Sequence, residues 1–141
     1  MAERAAPRYS QVAVGDELPP LAMPPISRLT LALYCGASGD HNPLHVDQDF
    51  ARAAGLGDVV AHGMLVMAYM GRTLTNWVPQ DAIRDFGTRF QAMTRVGDAI
   101  TCTARITDKR ADAHAVNVTV EARDQRGELK ALGEALIALA P

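Results

Sequence analysis

An acid and an imidazole stand five positions apart in the run Ser38-Gly39-Asp40-His41-Asn42-Pro43-Leu44-His45. Gly39 and Pro43 mark irregular backbone, so Asp40 and His45 project from a constrained turn and can converge on one small molecule such as water. That combination points to general acid-base chemistry on an uncharged substrate. His41 and His45 also lie four apart, but Pro43 between them excludes a helix that would present both, so no metal site is expected.

The rest of the chain must position this loop. Ser27 fits a helix cap, and Leu29, Ala32, Leu33 and Gly36 fall on one face at helical spacing, which predicts a helix of about ten residues stopping at Gly39. A second short helix is expected over Asp47 to Ala53, capped by Asp47 and closed by Gly55. From His62 to about Asn76 the sequence is apolar nearly all round for its first two turns, as in a helix enclosed on every side by protein. After Pro79 the period changes to two. Phe86 to Val96 alternate as a first long strand, followed by Ile100 to Ile106, Val116 to Ala122 and Ala131 to Leu139, with turns at Gly97-Asp98, Asp108 to Asp112 and Asp124 to Gly127. Helices first and antiparallel strands afterwards make an α+β domain, in which the sheet wraps the helix that begins at His62. The prolines of the first thirty residues limit that stretch to turns and a short edge strand.

Composition fits one compact domain over residues 1–141, with residues 1–11 expected to be flexible. The chain of 141 residues is 48% hydrophobic and 21% charged, and 14 Lys+Arg against 16 Asp+Glu give a net charge of -2 without a block of like charges, so nucleic acid is not an expected partner. Met64 to Met70 is far shorter than the roughly 20 apolar residues of a membrane span, and the first residues lack the apolar core of a signal peptide. Cys35 and Cys102 have no CxxC spacing and read as reduced, packed thiols, which suits a cytoplasmic protein. Arg84, Arg89 and Arg95 read as a solvated sheet face, and His114 as a solvated turn residue.

The segment Tyr34 to His45, followed at an interval of five by Ala51, resembles the signature of MaoC-like (R)-specific enoyl-thioester hydratases and dehydratases. Ala61-His62-Gly63-Met64-Leu65 is similar to a second motif of that family, and Phe90 with Val96-Gly97-Asp98 to a third. The resemblance covers roughly residues 12 to 140 and implies a hot-dog fold. It implies reversible addition of water to a trans-2-enoyl thioester, giving an (R)-3-hydroxyacyl thioester carried on CoA or acyl carrier protein, with no metal or redox cofactor. By position, Asp40 and His45 become the catalytic pair sharing one water, and the Gly63 backbone amide the oxyanion donor. Asn42, His62 and Met64 follow as candidate substrate-binding residues, with plainer roles in bracing the loop, ordering the helix start and packing the core.

In some family members a hydroxyl residue on the central helix supports the catalytic acid. Gly71 stands at that place here, with Tyr69 or Thr73 able to compensate, and a glycine there is expected to make room for a neighbouring backbone or for the substrate. The family also implies a homodimer, or a heterodimer with a paralogue. A hot-dog thioesterase and an accessory subunit of a heteromeric dehydratase are the competing functions.

Overall fold

The computed structural model describes residues 6–141. Three helices, α1 (Arg28–Ser38), α2 (Gln48–Ala53) and α3 (Gly63–Thr75), precede most of a five-stranded antiparallel sheet. Its strands are β1 (Leu21–Ala22), β2 (Ile83–Phe90), β3 (Thr101–Arg110), β4 (Ala115–Arg123) and β5 (Leu129–Ala138), arranged in the order β1-β3-β4-β5-β2. The inward residues are those predicted by period-two alternation: Cys102, Ala104 and Ile106 on β3, Val116, Val118, Val120 and Ala122 on β4, and Ala131, Ala135 and Ile137 on β5, all buried. They close on Leu65, Val66, Tyr69, Met70 and Leu74 of α3, giving the sheet-around-helix arrangement of a hot dog.

Helix ends follow local chemistry. The Ser27 side chain accepts from the Thr30 amide at 3.1 Å, a cap whose loss typically costs about 1 kcal/mol. At the other end Gly39 adopts φ +75°, a left-handed conformation that glycine reaches without strain, and donates its amide to the Cys35 carbonyl at 3.0 Å. Asp47 caps α2 by accepting from the Phe50 amide at 3.0 Å.

Several expectations change. On α1 the buried residues are Leu31 and Cys35, whereas Leu29 and Leu33 are about two-thirds exposed; the apolar spacing marked the outward face. Helix α3 is not enclosed on every side, because Met64 and Ala68 lie in the open while Met70 is fully buried. The first long strand ends at Phe90 instead of continuing to Val96. There the amides of Gln91 and Ala92 both turn to the Lys130 carbonyl, and the following residues leave β5 to meet Val60 and Ala61.

The expected flexible arm covers residues 1–5, which lie outside the described residues, and residues 8–11, which are tied down. Arg8 forms a parallel bridge with Ala140, the Tyr9 amide donates to the Ala140 carbonyl at 2.7 Å, and Lys109 lies over the Tyr9 ring. His114 is likewise more than solvated: it has a positive φ, its ring meets Tyr9 edge-on, and its carbonyl accepts from Leu139. Among the described residues no helix is long and apolar enough to cross a membrane.

Candidate active site

The end of α1 delivers Asp40 through a chain of short-range hydrogen bonds. Ser38 donates its hydroxyl to the Tyr34 carbonyl at 2.7 Å and accepts from the Asp40 amide at 3.2 Å. Asp40 Oδ1 then accepts from the Asn42 amide at 3.2 Å, and Asn42 Oδ1 from the Leu44 amide at 3.1 Å. Asx turns of this kind suit Asp and Asn in a Pro-containing loop. They rotate the next residues into a single helical turn over Pro43–His45, and His45 faces back towards Asp40.

His45 is oriented by the chain that leads into α3. Its Nδ1 lies 2.7 Å from the Val60 carbonyl, which can only accept, so Nδ1 carries the proton and Nε2 is left with a free lone pair in the neutral ring. Nε2 stands 3.9 Å from Asp40 Oδ2. The Asp40 side chain is 50% exposed and that of His45 13%, so the two acceptors share an edge of solvent while their supports are buried.

His62 lies beneath them, only 1% exposed. Its ring stacks on that of His45 at 3.7 Å and 22°, and Tyr34 packs edge-on at 4.8 Å. Nε2 donates to the Asp40 carbonyl at 3.2 Å and lies 3.4 Å from Cys35 Sγ, while Nδ1 has no partner among the described residues. Burial, reinforced by neighbouring His45, moves its pKa below the usual histidine value against the opposing pull of Asp40. Burial also raises the Cys35 thiol.

Asp40, His45 and His62 offer ligand atoms within 4.8 Å of one another. The two imidazoles stack at 22°, and one nitrogen of each ring is already engaged by a carbonyl.

Gly63 opens α3, and no acceptor among the described residues meets its amide. This leaves a free donor at the positive end of the helix. A Cβ at Gly63 would lie 3.1 Å from the Phe90 ring, so glycine also admits that side chain. Met64, on the same turn, is about half exposed. Beside Gly63 lies a cleft of about 380 Å³ lined by Val66, Phe90, Met93 and Lys130 among others, but not by Asp40, His45 or His62.

No neighbouring backbone among the described residues accounts for Gly71: a Cβ there would make only an ordinary 3.5 Å contact with the Phe86 ring. The Thr73 hydroxyl donates to the Tyr69 carbonyl, within its own helix. Two supports went unremarked in the sequence: the Val60 carbonyl, invisible because any residue could supply it, and the contacts of Tyr34 and Cys35 with His62, whose only trace is their place one helical turn before Ser38 and Gly39.

The chain matches the family described as MaoC like domain over residues 11–126. It is 30% identical over 111 residues to the (R)-specific enoyl-CoA hydratase of Aeromonas caviae, covering 77% of this chain and 83% of that enzyme. It is 34% identical over 84 residues to the (R)-specific enoyl-CoA hydratase of Rhodospirillum rubrum, covering 58% of each. The solved structure of an (R)-hydratase from A. caviae superposes with a TM-score of 0.82 at 27% identity, over 91% of this chain and 97% of that one.

Proposed function

Because the chain belongs to the MaoC-like domain family, we propose that it catalyses (R)-specific hydration of trans-2-enoyl thioesters, and the reverse dehydration, with Asp40, His45 and the Gly63 amide as its working groups. The observation that carries this reading is the pair of acceptors 3.9 Å apart, one of them an imidazole nitrogen left free by the Val60 carbonyl.

A water donating one hydrogen to His45 Nε2 and the other to Asp40 Oδ2 presents its lone pairs to Cβ of the substrate. As the C–O bond forms, one of the pair takes a proton and the double-bond electrons move through Cα to the thioester oxygen. The pair then returns a proton to Cα on the same face. Positioned acid-base groups typically contribute about 10² to 10⁴ in rate. The charge gathering on oxygen falls to the Gly63 amide, a kind of donor whose loss typically costs about 10² to 10³. Hydration changes no net oxidation state and so calls for no redox cofactor, and in this scheme the Gly63 amide takes the charge on oxygen that a Lewis acid would otherwise take.

CoA or acyl carrier protein would carry the acyl group. The outer edge of β2 has no strand partner among the described residues and suits a homodimer, or a heterodimer with a MaoC-like paralogue, joined edge to edge; sedimentation of the purified chain would report its assembly. Two buried, free thiols agree with a reducing compartment such as the cytoplasm.

The test is turnover of trans-2-butenoyl-CoA, followed by loss of enoyl-thioester absorbance and chiral analysis of the product. The (R)-3-hydroxy product is expected, with at least about 10²-fold lower kcat in Asp40→Asn and in His45→Ala at unchanged fold. Most activity surviving either substitution would remove the pair from the chemistry. Release of free CoA in place of hydration would instead identify a thioesterase.

A further inference from the structure

A buried cation stands behind the cleft at Gly63. The Lys130 side chain is 2% exposed, and its Nζ donates to the Met93 carbonyl at 3.0 Å. The Lys130 carbonyl in turn accepts from the amides of Gln91 at 2.9 Å and Ala92 at 3.3 Å. One residue therefore grips three successive positions of the cleft wall. From the opposite side the Ala61 amide donates to the Thr94 carbonyl at 2.9 Å, and Val60 bridges to Arg95. The wall is thus registered against the two residues that precede His62 and the Gly63 amide.

An ammonium in such a place gives up its hydration, a loss that close carboxylates must offset. Oδ2 of Asp98 and of Asp124, residues themselves 3% and 5% exposed, each lie 3.5 Å away, and the Glu128 carboxylate makes direct contact. Arg126 reaches over both aspartates, at 3.2 Å and 2.6 Å. Lys130 therefore does two things: with Arg126 it offsets the buried carboxylates of Asp98 and Asp124, and it bonds the cleft wall at Met93.

The chemistry fixes which part of a substrate this wall faces. With the thioester oxygen on the Gly63 amide and Cβ at Asp40 and His45, the sulfur leaves the carbonyl on the side away from that pair. The cleft adjoins Gly63 and contains neither Asp40 nor His45. Resting on the hydratase reading above, we infer that Lys130 is a positioning residue for the carrier side of the substrate: it holds residues 91–93 as a seat for the amide-bearing thiol arm that CoA and acyl carrier protein share.

The test uses the full chain with trans-2-butenoyl-CoA, trans-2-hexenoyl-CoA and the N-acetylcysteamine thioester of trans-2-butenoate, which lacks most of the arm. In Lys130→Met, KM for both CoA substrates is expected to rise about tenfold regardless of acyl length, with kcat within about threefold of the parent. The truncated thioester should suffer a several-fold smaller penalty. A merely structural lysine would lower activity on all three alike.

Met93→Ala removes a half-exposed side chain from the same wall and carries the test should Lys130→Met not fold; the same pattern is expected. Unchanged KM in both folded variants, a penalty that grows with acyl length, or an equal penalty on the truncated thioester would overturn the assignment. A parent chain that hydrates none of the three would overturn the hydratase reading and this inference together, whereas an active parent isolates the role of Lys130.

Discussion

His62 shows how a residue that never meets solvent can set the terms for two that do. Its Nε2 holds the Asp40 carbonyl, its face supports the His45 ring, and its orphaned Nδ1 would place an unpaired positive charge in the interior if protonated. Its folded pKa lies below the unfolded value of 6.5, chiefly through burial. The unfolded chain therefore binds the proton first, and the stability it contributes is full above pH 6.5 and lost as pH falls from there through the lowered value. NMR titration should find this imidazole titrating below 6.5, and the urea midpoint should fall between pH 7.5 and 5.5 by less in His62→Gln than in the parent. A His62 that titrates at or above 6.5 would contradict the account. At this scale the sequence drew notice to Asp40 and His45 as a pair, since side-chain type and spacing mark them, and the loop sets them 3.9 Å apart. It could not disclose the Val60 carbonyl or the grip of Lys130 on the Met93 carbonyl, because main-chain acceptors leave no mark in residue identity.

Between elements, two glycines on facing surfaces have opposite meanings. Gly133 sits inside β5 where α3 presses closest to the sheet: a Cβ there would come within 2.8 Å of Met70 Cε and 3.1 Å of the Gly87 carbonyl. Met70 is fully buried and the second obstacle is backbone, so Gly133→Ala should destabilise the fold by about 1–3 kcal/mol, as overpacking does. Gly71, in the middle of α3, meets only Phe86 at an ordinary distance, and Gly71→Ala should stabilise by up to about 1 kcal/mol through helix propensity. Urea titration of the two variants measures both; a stabilised Gly133→Ala would show that the helix can lift from the sheet. Alternation found the inward faces of β3, β4 and β5 because one face of each is buried, but it stopped β3 short: the strand runs past Ile106 to Arg110, through the start of the turn expected at Asp108. It overran β2, since the bond that ends the strand at Phe90 belongs to Lys130, forty residues on. On α1 spacing found a helix without telling which face is buried, since the exposed Leu29 and Leu33 are as apolar as the buried Leu31.

Across the whole molecule, the sheet wrapped on α3 was legible because only one helix is apolar enough to be wrapped. The uncovered surface was not, since Leu29, Leu33, Met64, Phe90 and Met93 read as core by composition yet stand exposed in this single chain. The tie between the first and last parts of the chain was equally hidden, because a parallel bridge from Arg8 to Ala140 needs no particular side chain. That tie means the circular order of the elements matters more to this fold than the point at which the polypeptide is cut. A linker of roughly five residues, each spanning up to about 3.3–3.6 Å, could join Pro141 to Pro7, with new ends made in the exposed turn at Asp112-Ala113 between β3 and β4. Such a permuted chain should fold with the same sheet and keep Asp40, His45 and Gly63 together, as circular dichroism and the hydration assay would report.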